Sequence, residues 1–138
     1  MAYWLLKTEP EDWSWDQQVA KGKKGEVWTG VRNAQARNFM RDIKKGDLAF
    51  FYHTGGEKQA VGIVKIIKEA YQDPTTDDER WLAVDVAAVE ALPKPVTLAA
   101  IKAEPKLAEM KLVKNARLSV QPVTAAEWKQ VAKMGGLK

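Results

Sequence analysis

The 138-residue sequence has no cysteine and a single histidine. The first absence excludes disulfides, thiolate nucleophiles, zinc ribbons and Cys-ligated iron–sulfur clusters. The second excludes a His-rich metal site and any mechanism that needs two imidazoles. No run approaches the roughly 18 apolar residues of a membrane span. The opening Met1-Ala-Tyr-Trp-Leu-Leu-Lys-Thr-Glu9 has no signal-peptide pattern. P-loop, dinucleotide fingerprint and nucleophile elbow are also missing. These absences predict a protein of a reducing compartment, cytoplasmic or, in a eukaryote, nuclear, with no membrane partner, no metal and no cofactor. The length predicts one domain, residues 1–138, with an ordinary apolar core.

Tryptophan is what the chain has in excess. Trp4, Trp13, Trp15, Trp28, Trp81 and Trp128 equal the three Tyr and three Phe combined. Indoles pack cores and stack on flat ligands, so their placement bears on function. The net charge of +4 is compatible with a polyanionic partner without requiring one. Charge is unevenly spread. Glu69 to Glu90 carries seven acids against Arg80 alone, and Leu98 to Lys138 carries eight bases against three acids. If nucleic acid binds, the acidic stretch is expected to turn away from it.

The pattern predicts strands at Tyr3–Lys7, Glu26–Thr29, Asp47–His53, Gln59–Lys68, Arg80–Leu92 and Arg117–Val123. Thr54-Gly-Gly-Glu57 is a hairpin signal, and Gly62 inside the following strand suggests a bulge or corner. Ser14, with Gln17 three residues on, predicts a capping box for a short helix ending at Gly22, and Lys21–Lys24 a turn. Asn33 caps a helix whose core face is Ala36, Phe39, Met40 and Ile43, stopped by Gly46. Pro93 and Pro95 are expected to end their strand, Thr97 to cap a helix through Ala103, and Pro122 to mark an edge strand. Thr124 opens the last helix. Helices inserted among strands of mixed length predict α+β, with a mostly antiparallel sheet curled into a small barrel.

The densest polar constellation is Trp28-Thr-Gly-Val-Arg-Asn33, continued by Gln35, Arg37 and Asn38. An aromatic face, a glycine that lets backbone approach, and Arg and Asn at a helix start suit a flat polar or anionic group. The same residues also fit a structural account. Trp28 would then be core, Asn33 only a cap, and the arginines partners of Asp42 or Asp47. Tyr52-His53-Thr54 closes a strand at the hairpin, Lys7-Thr-Glu9 ends the first strand, and Lys114, Arg117 and Ser119 lie on or near an edge strand. A lone His is more often structural than catalytic, Lys7-Thr-Glu9 shares that ambiguity, and Lys114, Arg117 and Ser119 fit a solvated edge strand as readily as a site. A Ser–His–Asp arrangement would need His53 beside Ser14 or Ser119, and no motif places it there. No catalytic residue is expected, and the chemistry leans toward binding.

Several of these segments carry a resemblance. Tyr3-Trp-Leu-Leu-Lys-Thr-Glu-Pro10 with Trp13-Ser14, Trp28-Thr-Gly-Val-Arg-Asn33 with Ala36-Arg-Asn38, Gly46-Asp-Leu-Ala-Phe-Phe-Tyr-His53, Val61-Gly-Ile63 and Arg117-Leu-Ser-Val-Gln-Pro122 together resemble the EVE domain family, in its order and over nearly the whole chain. The resemblance implies a PUA-like fold related to YTH and ASCH domains, a curled mixed β-barrel with helices packed outside. It implies a non-enzymatic module that reads a modified base in DNA or RNA. The alternative is a binder of a free nucleobase or nucleotide-like small molecule. Carried over by position, Trp28 would wall the pocket, Gly30 and Val31 would bring backbone close, and Arg32 and Asn33 would make polar contacts. Tyr52, His53 and Thr54 would close another side, with Lys7, Thr8, Arg117 and Ser119 on the rim. Arg37 and Lys114 would hold phosphates. Thr54 departs from the serine frequent in the family and keeps the hydroxyl.

Overall fold

The computed structural model describes residues 1–137. Strands β1 (Tyr3–Thr8), β2 (Glu26–Trp28), β3 (Leu48–His53), β4 (Gln59–Gln72), β5 (Leu82–Thr97) and β6 (Val120–Val123) form one sheet in the spatial order β2-β5-β4-β3-β1-β6. Neighbours are antiparallel except for β1 and β3, which run parallel. Helices α1 (Trp15–Ala20), α2 (Ala34–Asp42), α3 (Leu98–Ala103), α4 (Lys111–Lys114) and α5 (Ala125–Met134) surround it, with 3-10 turns at Gly22–Lys24 and Pro105–Leu107.

Side chains alternate across a strand, so one sheet builds two cores. Trp4, Leu6, Ala49 and Phe51 face one side, where Trp28, Val64, Val86 and the α2 residues Ala36 and Met40 join them. Leu5, Phe50 and Tyr52 face the other, packed with Leu92, Ile101, Leu112, Trp128 and Val131. Covering both faces explains why β1 reads as a continuous apolar run rather than an alternating one. Trp128 is sandwiched between Tyr3 and Phe50, at centroid distances of 4.6 and 3.9 Å. The predicted caps are all in place: Ser14, Asn33, Thr97 and Thr124 each accept a backbone N–H, and Ser14 and Thr124 form full capping boxes.

The expected barrel is not formed. β2 and β6 are the two ends of the sheet order, and no pairing joins them. β2 offers only three residues before the Gly30 turn, and β6 has four, one of them Pro122, which has no N–H to give. Helix α2 packs on both β5 and β6.

A second correction concerns β5, which runs through Pro93 and Pro95 to Thr97. Ala60 pairs with Val96 and Gly62 with Ala91, so both prolines lie in a bulge where β4 asks nothing of their nitrogens. The N–H between them, on Lys94, donates to Gly135 O at 3.0 Å. Shorter differences occur at ends: α2 stops at Asp42 and β6 starts at Val120, three residues past Arg117. The suspected role of Gly62 holds, and it has a packing cause. A Cβ there would lie 2.5 Å from the indole of Trp15.

Candidate functional site

Curling of the sheet brings the C-terminal end of β1 opposite β2, although three strands, β5, β4 and β3, lie between them in the sheet order. An open cleft of about 560 Å³ lies between them. Lys7, Thr8, Glu9, Asp12 and Trp13 form one side, Glu26, Val27, Trp28, Thr29 and Gly30 the other, and Pro74 and Thr75 close an end. The unclosed seam of the sheet is thus the place where a ligand can enter.

Trp28 is held edge-on to Phe51 at a centroid distance of 5.4 Å and is only 6% exposed. It is therefore both core residue and cleft wall. Among the described residues the Trp4 indole donates to Asp47 and the Trp13 indole to Gln18, at 2.9 Å each. Among the described residues no hydrogen bond engages the Trp28 indole, and the ring itself lines the cleft.

Gly30 follows in the left-handed region at φ +83°, with open space where a side chain would stand. Its N–H donates to Asp73 Oδ2 at 2.9 Å. Asp73 is the keystone of this wall. It also accepts from Arg32 Nη1 at 3.0 Å and from the Thr75 backbone and hydroxyl at 2.7 and 2.6 Å. Burial would push its pKa up, but the hydrogen bonds from Thr75, Gly30 and Arg32 outweigh that and hold it at about 2. The acidic stretch does not turn away from the site: Asp73 anchors it there, and Pro74 and Thr75 line the cleft.

Of the residues named from sequence, Lys7, Thr8, Trp28 and Gly30 line the cleft. Lys7 Nζ donates to Ala116 O at 2.5 Å and sits 5.7 Å from the Tyr52 ring centre, and partial burial lowers its pKa. Thr8 donates to Trp13 O at 3.1 Å, tying the first strand to the Trp13 side of the wall. Val31 is buried behind the wall, and Arg32 spans to Asp73 and Thr75 while remaining 41% exposed. Asn33 is engaged as the α2 cap, accepting from Ala36 N at 2.9 Å.

Others lie elsewhere. Tyr52 is buried in the second core, where burial raises its pKa to about 12. His53 accepts from Trp15 N at Nε2, 3.0 Å, and its Nδ1 lies 2.9 Å from Glu57 Oε1, so both ring nitrogens are occupied. That hydrogen bond pulls the Glu57 pKa down. Thr54 N donates to Thr8 O at 2.9 Å. Ser119 O accepts from Lys7 N, and exposed Arg117 follows Ala116, the acceptor of Lys7 Nζ. Lys114 pairs with Glu109 at 3.7 Å. Arg37 is on α2, outside the cleft, within 5.6 Å of the Trp81 ring centre.

Glu9 and Thr29, which lie inside segments the sequence singled out, also line the cleft, and Asp12, Trp13, Glu26, Pro74 and Thr75, which sequence reasoning did not place there, complete the lining. The site thus offers two indoles, one ammonium and three carboxylates. Carboxylates accept from N–H donors while the ammonium donates, a set suited to a polar ligand that carries both donors and acceptors. Among the described residues no three metal-binding side chains converge, and no helix is long and apolar enough to cross a membrane.

A family model described as EVE domain matches residues 2–134. Thymocyte nuclear protein 1 of Mus musculus is 37% identical over 158 aligned positions, covering 91% of this chain and 70% of that protein. A crystal structure from Agrobacterium tumefaciens superposes with a TM-score of 0.97 at 52% identity, covering 99% of this chain and 94% of that one. The human THYN1 protein in complex with 5-methylcytosine containing DNA superposes at 0.91 with 34% identity, covering 100% and 99%. The chain belongs to the EVE domain family. The YTH domain of Zygosaccharomyces rouxii MRB1, solved with N6-methyladenosine RNA, matches at a TM-score of 0.61 and 15% identity over 99% of this chain and 88% of that one, which shows a shared fold alone, the relationship expected of a PUA-like domain.

Proposed function

We propose that this protein is a reader of a modified base in nucleic acid, and not an enzyme. The cleft in the seam of the sheet carries the proposal: it is open, walled by Trp28 and Trp13, and edged with both donors and acceptors. A relative at 34% identity, human THYN1, was solved with DNA containing 5-methylcytosine, which supports the same ligand class here. The base leaves its stack, slides along the Trp28 face and presents its edge to the cleft carboxylates and to Lys7. Extraction costs a few kcal/mol, which one aromatic contact of about 1–3 kcal/mol and two or three hydrogen bonds offset. His53 supports the non-catalytic side of the proposal, because its ring is spent on Trp15 and Glu57 outside the cleft.

The test is a pair of fluorescent oligonucleotides that differ by one methyl group on one cytosine. The methylated strand is expected to bind more tightly, and equal affinities would overturn the proposal for that base. One observation favours a second ligand, a free nucleobase or nucleoside. Three carboxylates against one lysine make the cleft itself a poor place for phosphate. Competition by free 5-methylcytidine separates the two: a free nucleoside that matches the oligonucleotide in affinity favours the small ligand.

A further inference from the structure

We propose that the exposed face of α2 beside Trp81 is the surface that grips the phosphates of a nucleic-acid strand whose base enters the cleft. The inference rests on the reading of the cleft as a base-binding site. From Thr29 to Gly46 the chain carries Arg32, Arg37, Arg41, Lys44 and Lys45 against Asp42 alone. Arg32 is neutralised by Asp73. Arg37 and Arg41 have no carboxylate partner among the described residues.

Both guanidiniums instead converge on one neutral atom. Arg37 donates to Asn38 Oδ1 at 3.1 and 3.4 Å, and Arg41 donates to the same oxygen at 3.3 Å. Two like charges held around an amide oxygen repel each other, and that repulsion is relieved when an anion joins them. Guanidinium forks present paired N–H donors, the geometry that phosphate oxygens accept.

The neighbouring side chains connect this fork to the cleft. The Trp81 ring is flanked by Arg32, Arg37 and Arg80, each guanidinium carbon 5.6–5.7 Å from its centre. Arg32 is in turn bonded to Asp73 and Thr75 at the cleft edge. A strand whose phosphates lie on Arg37 and Arg41 therefore passes the half-buried Trp81 indole and reaches Thr75. Trp81 supplies a flat apolar surface for a flanking base or sugar; of the arginines around it Arg32 is paired with Asp73 and Arg80 with Asp78 at 2.7 Å, so Arg37 is the one that offers its charge to the strand. The division of labour is physical: carboxylates and indoles in the cleft read the base, and the fork outside it holds charge.

The experiment measures binding of a fluorescent single-stranded oligonucleotide between about 50 and 200 mM salt, for the parent and for R37Q/R41Q. Each phosphate contact on a single strand contributes about 0.7 to the slope of log affinity against log salt, so losing both contacts should flatten it by about 1.4 and weaken binding at least tenfold at low salt. Affinity for free 5-methylcytidine and the melting temperature should not fall, since neither side chain is in the cleft or the core. An unchanged slope with an intact preference for the methylated strand overturns the α2 grip and leaves the base-reading proposal standing. A flattened slope without any preference for methylated over unmethylated strand in the parent supports the grip and overturns the reader. A parent that binds neither strand overturns both.

Discussion

Asp73 holds the cleft wall by four hydrogen bonds, and its replacement by Asn removes the charge while keeping the shape. The fall of its pKa from 3.8 to about 2 is worth about 2.5 kcal/mol at 1.36 kcal/mol per unit. The Asp73 side chain is fully buried, so water does little to screen the interaction, whereas Arg32 at 41% exposure can rehydrate when its partner is lost. Against a total stability of about 5–15 kcal/mol, Asp73→Asn should stay folded. Its melting temperature should fall by about 8–12 °C at pH 7 for a chain of this size. The sign of the pH dependence follows from the depressed value. The native state favours the ionised carboxylate, so its contribution is complete above the unfolded value near 4 and fades as pH falls toward 2. The gap between parent and variant, followed by circular dichroism, should therefore narrow below about 1 kcal/mol near pH 2.5. Variants that melt together at pH 7, or a gap that ignores pH, would refute this assignment. The same variant frees Pro74 and Thr75 and is expected to weaken oligonucleotide binding as well.

Gly62→Ala places a methyl group 2.5 Å from the Trp15 ring and should cost about 1–3 kcal/mol in urea unfolding; an unchanged midpoint would show that the indole moves freely. Trp28→Ala should cost about 3–5 kcal/mol in the same assay because the ring is core as well as wall, so loss of binding in that variant is informative only alongside its melting curve. Thr124→Ala deletes a capping box on α5, and a loss of about 1 kcal/mol is expected by thermal melting. His53→Ala strips the acceptor from Trp15 N and should destabilise by about 1–3 kcal/mol; full affinity for the methylated strand in the variant would agree with a structural role for the ring, and lost affinity at unchanged stability would place it at the ligand.

Most of the framework was legible because it is local. Caps are decided within three residues, as at Ser14–Gln17 and Thr124–Glu127, and the β3–β4 hairpin is decided by Thr54-Gly-Gly-Glu57. What failed depends on partners distant in sequence. Pro93 and Pro95 stop a strand only if a neighbour needs their N–H groups, and the bulge opposite Val61 removes that need. Closure of the sheet depends on whether β2 and β6 can meet, which neither strand encodes by itself. In the site, the Trp28-to-Asn33 segment stood out by composition, yet its partner Asp73 is 43 residues from Gly30 and lies in a run of acids that resembles a solvated loop. Asp12 and Glu26 stayed hidden for the same reason: single carboxylates look alike until the curl of the sheet places them across a cleft. Asn33 and Arg32 show the reverse. Both are where the motif suggested, but their polar atoms are engaged in capping α2 and in clasping Asp73.

The central claim is that a base sits against Trp28, and the indole N–H resonances of the 15N-labelled protein test it most directly. Titration with an oligonucleotide bearing one 5-methylcytosine should shift the signal of Trp28, whose ring walls the cleft, and leave that of Trp4, bonded to Asp47 in the core, in place. Saturable binding with a motionless Trp28 resonance would contradict the account.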